Sequence, residues 1–174
     1  MGRPTNMALK RTSQTVAIGF TVTEDVAGTM KQLTVDLNLS PLDNEVFVVQ
    51  GINLEPDMPD AIAATNTRVA MALTSTSQTS LPTLADANCL ATAGNFVRAA
   101  GFVDGGVNFQ QGQAENPATA LDQLGIIATS DFFVQVEGDN NAGVRGGVGK
   151  LYGYRAKADA ATYAALVQSE VLSA

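Results

Sequence analysis

The sequence predicts an all-β fold, an antiparallel eight-stranded jelly-roll sandwich with two or three short helices. About eight segments alternate apolar and polar residues with the period of two that is typical of half-buried strands. Turn-rich stretches separate these segments, and the alternating strand and helix order of a parallel α/β sheet is absent. This number of antiparallel strands fits a jelly roll.

The first three strands have the clearest patterns. Residues 15–23 and 31–39 each place apolar side chains on one face only. The strand predicted over residues 45–54 is apolar on both faces, with Phe47 and Val49 on one, so we expect other elements to cover both faces. Its second face is predicted to hold four apolar side chains: Val46, Val48, Ile52 and Leu54.

Four further strands are predicted, over residues 67–75, 95–103, 126–137 and 148–158. Residues 84–93 fit either a short helix ended by Gly94 or a strand. A two-turn helix is predicted between Asn116, as N-cap, and Gly125, as stop signal. Asp159 is expected to cap a final Ala-rich helix. The apolar stripe of this last helix is predicted to contain Tyr163, Leu166, Val167 and Val171.

The composition excludes much catalytic chemistry. The chain has 174 residues and no His, so Ser-His-Asp, Cys-His and His-ligated metal sites within it are excluded. Its single Cys89 has no basic neighbour in sequence to activate the thiol, and we interpret it as a core residue. The glycines of residues 143–151 do not have the spacing of a phosphate-binding loop. We therefore expect no enzyme activity, no catalytic residues and no cofactor.

One acidic loop is a weak candidate for calcium binding. Glu55, Asp57 and Asp60 lie close together in sequence, and calcium prefers several oxygen ligands. The EF-hand pattern is absent, and the intervening prolines favour an exposed loop with solvated charges. We therefore expect no metal site, with these three carboxylates as the candidates if there is one. Seventeen acidic residues leave glycoside hydrolysis open, but no spacing nominates a pair of carboxylates.

Charge is distributed unevenly along the chain, whose net charge is −7. Residues 1–12 are predicted to form a flexible arm that carries Arg3, Lys10 and Arg11, and residues 13–174 to form one jelly-roll domain that ends in a short helix or extension. The arm is interpreted either as a frayed tail or as an assembly arm that orders against a neighbouring subunit. Residues 32–144 are strongly acidic, so we expect no strong nucleic-acid binding by the body of the protein.

The sequence contains no apolar run of about 18 residues and no secretory signal pattern near Met1, so we expect no membrane span and synthesis in a cytoplasm. Together with the short polar arm, residues 39–49 (LSPLDNEVFVV) and 149–158 (GKLYGYRAKA) resemble small single-jelly-roll coat proteins of icosahedral viruses of microbes. The resemblance rests on overall pattern and covers the chain from about residue 12. The arm departs from it, because coat proteins that package nucleic acid directly often carry strongly basic arms.

This resemblance implies a structural protein of the virion that self-assembles in many copies into an icosahedral shell in the host cytoplasm. Its expected partners are copies of itself, with a second capsid protein as an open alternative. Two other functions remain open from the sequence. One is a virion decoration, fibre or other surface-assembly subunit, and the other is a carbohydrate-binding β-sandwich.

Overall fold

The computed structural model describes residues 9–103, 106–112, 114–115 and 122–173. Within these residues the chain forms eleven β-strands, a short 3-10 helix at Pro41–Asp43 and the helix α1, Ala160–Leu172. The strands are β1 Leu9–Arg11, β2 Val16–Thr23, β3 Lys31–Asp36, β4 Glu45–Pro56, β5 Thr67–Thr74, β6 Cys89–Arg98, β7 Val107–Gln111, β8 Ala114–Glu115, β9 Gly125–Ile127, β10 Asp131–Asp139 and β11 Gly146–Ala158.

The strands form two antiparallel sheets that pack as a sandwich. In the first sheet, β1 and β2 follow one another along one edge of β11, β4 pairs with the other edge of β11, and β8 and β9 follow one another along the far edge of β4. The second sheet has the order β3-β10-β5-β6-β7. All-β architecture with antiparallel pairing is thus as the sequence predicts.

The strand order is that of a jelly roll. Because β1 and β2 occupy one strand position, as do β8 and β9, the described chain has eight strand positions plus the additional edge strand β7. Numbered along the chain, position one pairs with eight, two with seven, three with six and four with five. This is the pairing of one long hairpin rolled up into a sandwich, so the predicted eight-stranded jelly roll is confirmed.

The main core lies between the sheets. Alternating side chains of both sheets meet there, as the period-two patterns predict, and Phe20 of β2 contacts Phe132 of β10 edge to face with ring centroids 5.8 Å apart. A second, smaller apolar cluster lies on the outer face of the first sheet, where α1 covers Val46 and Val48 of β4. Strand β4 is therefore buried on both faces, as expected.

The predicted assignment of residues to the two faces of β4 was wrong beyond residue 49. Val49 pairs with Gly153 and Gly51 pairs with Tyr152, so Gln50 is an extra residue in the ladder, a β-bulge. One inserted residue exchanges the two faces of everything that follows it. The interior cluster consequently contains Phe47, Val49, Ile52 and Leu54, whereas Val46 and Val48 lie under α1.

Other boundaries also differ from the sequence prediction. The helix option for residues 84–93 was wrong, because this region is a loop followed by β6, which pairs with β5 from Cys89 onward. Strand β6 ends at Arg98, short of the predicted end at Val103. The single strand predicted over residues 126–137 is divided into β9 and β10, which belong to different sheets. Most of the helix predicted from Asn116 lies outside the described residues.

The final helix is confirmed. Asp159 is the N-cap of α1, and its carboxylate accepts a hydrogen bond of 2.7 Å from the backbone N–H of Thr162. Tyr163, Leu166 and Val167 pack on the outer cluster of the first sheet. Val171, which was predicted to share their stripe, is 61% exposed.

Candidate functional site

The described part of the N-terminal segment is a strand. Lys10 and Arg11, predicted to lie in a flexible assembly arm, belong to β1, which pairs with the end of β11 in the same chain. The Arg11 guanidinium donates to the backbone carbonyl of Ser13 at 2.8 Å and to the Thr15 hydroxyl at 3.0 Å, and it lies 4.2 Å from the ring centroid of Tyr154. Arg11 is thus fixed on its own subunit. Arg3 lies outside the described residues.

Lys10 has a different environment from Arg11. It is exposed and lies directly opposite Lys157 of β11, and like charges in a cross-strand pair repel. Lys157 has a carboxylate neighbour, Asp43, at 3.6 Å. This edge of the first sheet therefore carries a small cationic surface on a protein that is acidic as a whole.

The acidic loop that we considered for calcium binding fastens the turn between β10 and β11. The Asp57 carboxylate accepts from the backbone N–H of Gly146 at 2.9 Å. Asp60 accepts from the backbone N–H of Ala142 at 2.7 Å and forms an ion pair with Arg145. Glu55 is exposed on β4. Both carboxylate oxygens of Asp60 and one of Asp57 thus already have donors from the protein.

Two buried carboxylates that sequence reasoning missed hold loops in place at opposite ends of β10. Glu24, which is 3% exposed, accepts from the backbone N–H groups of Gly138 at 3.1 Å and Arg145 at 2.8 Å. Glu170 of α1 accepts from the backbone N–H groups of Ala128 and Thr129. Neither lies in a motif, because both bind backbone donors more than 40 residues away in sequence.

The basic closing strand is largely neutralised within the chain. Arg155 pairs with Glu45 at 3.0 Å and donates to the carbonyl of Leu37 at 2.7 Å. Arg145 and Lys157 have the carboxylate partners described above. Of the four cations between residues 145 and 157, three therefore balance acids of the same subunit. This arrangement leaves little positive surface for a polyanion such as nucleic acid.

An exposed apolar groove lies on the outer face of the second sheet, at its β6–β7 end. It has a volume of about 580 Å³, and Phe96 and Phe109 line it together with Arg68 and Asp139. A smaller depression of about 330 Å³ continues beside Phe102 and Val107. Sequence reasoning did not select these residues, although Phe96 and Phe102 lie within the strand predicted over residues 95–103.

The described residues contain no group of three or more His, Cys, Asp or Glu side chains arranged to hold a metal ion. Over the same residues, no helix has the length and apolarity required to cross a bilayer. Cys89 is half-buried, and loss of solvation raises the pKa of its thiol to about 11. Such a thiol is a poor nucleophile. Cys89 is not among the buried core residues, so its interpretation as a core residue was wrong.

Comparisons with known proteins give similarity at the level of structure. No protein-family model matches the chain, and no curated protein matches its sequence. A chain from the structure of Desmodium yellow mottle tymovirus is similar over 83% of this chain and 87% of its own length, with 9% identity and a TM-score of 0.27. A chain from the structure of Cocksfoot mottle virus is similar over 82% of this chain and 95% of its own length, with 8% identity and a TM-score of 0.33.

The VP2 subviral particle of infectious bursal disease virus is also similar, over 83% of this chain and 37% of the matched chain, with 7% identity and a TM-score of 0.25. All three TM-scores lie below 0.5. The assignment of a jelly roll therefore rests on the strand order of the two sheets and not on these similarities.

Proposed function

We propose that this chain is a structural capsid protein that self-assembles in many copies into an icosahedral viral shell. The observation that carries the proposal is the strand order of the jelly roll, an architecture that occurs in viral capsid proteins, lectin domains and cupins. A fold does not determine a function, so the choice among these classes depends on the surfaces and the interior of this particular sandwich.

The interior argues against a cupin-like binding barrel. The space between the two sheets is filled by buried apolar side chains, among them Phe47, Phe132 and Leu151, each at most 1% exposed. A binding barrel instead needs an open cavity with polar groups that converge on a ligand. The chain also has no His to supply the imidazole ligands of a metal site.

The outer surfaces argue against a carbohydrate-binding sandwich. The chain has no Trp, so the largest aromatic platform for a sugar ring is missing. Asp57 and Asp60, the acids that we considered for calcium binding, are engaged by the β10–β11 turn. A structural role requires no such site. It requires a rigid sandwich with loops and edges that contact neighbouring copies, and this chain provides both.

The proposal places the protein in the virion, made and assembled in the host cytoplasm, with copies of itself as partners. Because three of the four cations between residues 145 and 157 are paired internally, we propose that the shell does not bind nucleic acid strongly through this protein. The calcium hypothesis for Glu55, Asp57 and Asp60 stays a prediction, and so does the need for a second capsid protein.

The test is assembly of the purified full-length chain. Size-exclusion chromatography, analytical ultracentrifugation and negative-stain electron microscopy over a series of salt and calcium concentrations should reveal closed particles of uniform diameter. Monomers under every condition would contradict the proposal. Binding of monomers to pre-formed shells of another capsid protein, without shell formation by this chain alone, would identify a decoration subunit instead.

Two deletions test the contribution of the N-terminal segment. Removal of residues 1–8 leaves β1 in place, so we expect an intact fold and a lower yield of particles. Removal of residues 1–12 also removes β1 and the contact between Arg11 and Tyr154, so we expect a further loss of stability. Equal particle yields for both deletions and the full chain would show that the segment is not an assembly arm.

A further inference from the structure

Among the residues that the structure describes, strand β7 forms an edge of the second sheet. It pairs with β6 on one side and is the last strand of this sheet among the described residues. All five of its residues are exposed. An edge strand of this kind presents a row of unpaired backbone N–H and C=O groups, to which another strand can bind.

Three exposed side chains beside this edge are apolar, and the other three of β7 are uncharged and polar. Phe109 of β7 is directly opposite Phe96 of β6, and Phe109 and Val107 are 50% and 46% exposed. Phe102, in the connection that follows β6, is 49% exposed and lines the same depression as Val107 and Phe109. A strand added to β7 would therefore cover apolar surface in addition to forming backbone hydrogen bonds.

The charge of the chain favours a contact at this edge. Each copy carries a net charge of −7, so two copies repel unless they meet through uncharged or oppositely charged surfaces. Residues 105–114, which include the whole of β7, contain no charged residue and no proline. The edge thus lacks the Lys and Pro residues that commonly protect edge strands from pairing.

The other edge strands are less suited to pairing between copies. Strand β3 carries Lys31 and Asp36, and β1 carries Lys10 and Arg11. Strands β8 and β9 have two and three residues. Strand β2 is uncharged, but Ile18, Phe20 and Val22 pack in the core and its outward residues are Ala, Gly and Thr. Val16, at its start, is its one exposed large apolar residue. Pairing at β2 would therefore bury much less apolar surface than pairing at β7.

We infer that β7 is a contact between two copies of this chain, in which the two β7 strands pair antiparallel across a twofold axis. Such a contact is self-complementary, because the same strand is used by both copies. It would join two second sheets into one continuous sheet and bring Phe109 of the two copies close together. This inference rests on the proposed function only in that shell formation requires contacts between copies.

Cysteine cross-linking tests the contact directly. Residues 107–111 are replaced by Cys one at a time, and each variant is oxidised and analysed on non-reducing gels. The native Cys89 remains in place, because its raised pKa lowers the thiolate fraction, and the wild type measures its background. Thr21→Cys, an exposed position on the rival edge strand β2, is the control. We expect the yield of disulfide-linked dimer to be highest for the β7 position nearest the twofold axis. Thr21→Cys should give no such dimer.

A charge test accompanies the cross-linking. Phe109→Glu places two carboxylates near each other across the contact, and we expect a decrease of at least tenfold in dimer or particle yield. Gln110→Lys introduces charge on the edge without removing an aromatic ring and should also decrease the yield. Thr34→Glu, on the exposed face of β3 in the same sheet, is the matched control and should have no effect. Circular dichroism confirms that each variant is folded.

The outcomes separate this contact from the proposed function. If particles form, no β7 position cross-links and Phe109→Glu behaves like Thr34→Glu, the β7 contact is overturned and the shell proposal stands. If β7 cross-links in a dimer but no particles form, the contact stands and the shell proposal fails. Cross-linking through Thr21→Cys instead would assign the contact to β2 and overturn the inference.

Discussion

Glu170 provides a sharp test of how α1 is held on the sandwich. Its carboxylate is 7% exposed and accepts three hydrogen bonds, from the Ala128 N–H at 2.8 Å, the Thr129 N–H at 3.1 Å and the Thr129 hydroxyl at 2.8 Å. These bonds fasten the last turns of α1 to the connection between β9 and β10, which is the point where the chain crosses from one sheet to the other.

Glu170→Ala should lower the free energy of unfolding by about 3 kcal/mol. A hydrogen bond to a charged group contributes about 1.5–3 kcal/mol, and a buried donor left without a partner costs about 1–3 kcal/mol. Ala128 is buried, so its N–H group has no easy access to water, whereas the half-buried Thr129 can rehydrate in part. For a chain of this size, the expected decrease in melting temperature is about 6–12 °C.

Thermal and urea unfolding followed by circular dichroism measure this effect, at one assembly state for all variants. Glu170→Gln keeps an acceptor but removes the charge, so we expect an intermediate loss of about 1–2 kcal/mol. Gln168→Ala, at an exposed position of the same helix, is the matched control and should change stability by less than about 0.5 kcal/mol. A loss for Glu170→Ala no larger than that of Gln168→Ala would refute the reasoning.

Two further predictions concern a glycine and a helix cap. Gly153→Ala should destabilise by about 1–3 kcal/mol, because the added Cβ would meet the Val48 carbonyl and the Phe47 ring, whereas Gly143→Ala, with open space around it, should be tolerated in the same unfolding assay. The hydrogen bond from the Thr162 N–H lowers the pKa of the Asp159 carboxyl, so its contribution to stability is present above the unfolded-state pKa and is lost as pH falls through the folded-state pKa. Asp159→Asn should therefore remove part of the loss of helix stability on acidification, and an unchanged pH profile would show that the cap does not contribute.

The sequence predicted most of the strands because each strand has one face toward a common core. The alternation of Val16, Ile18, Phe20 and Val22 follows directly from that requirement, as does the N-cap role of Asp159. The bulge at Gln50 could not be predicted in this way. The residues of the strand are as apolar with a bulge as without one, so the sequence pattern does not indicate it. The position of the bulge is set by the pairing of β4 with β11.

The candidate sites were harder to predict than the fold, because they depend on contacts between distant residues. Asp57 and Asp60 attracted attention as neighbouring acids, but their function in the structure comes from backbone N–H groups more than 80 residues away. Glu170 has no distinguishing context in sequence at all. The apolar edge at β7 depends on the pairing of β6 with β7, which places Phe96 opposite Phe109.

The pairing of β1 and β2 with β11 has a consequence for synthesis of the chain. Leu9 pairs with Ala158 and β2 pairs with β11, so the first strands cannot reach their partner until almost the whole described chain has left the ribosome. Contacts of such sequence separation also slow folding, because the loop must close before they form. A nascent chain therefore lacks the completed first sheet, and contacts between copies that need this sheet can form only after β11 has left the ribosome.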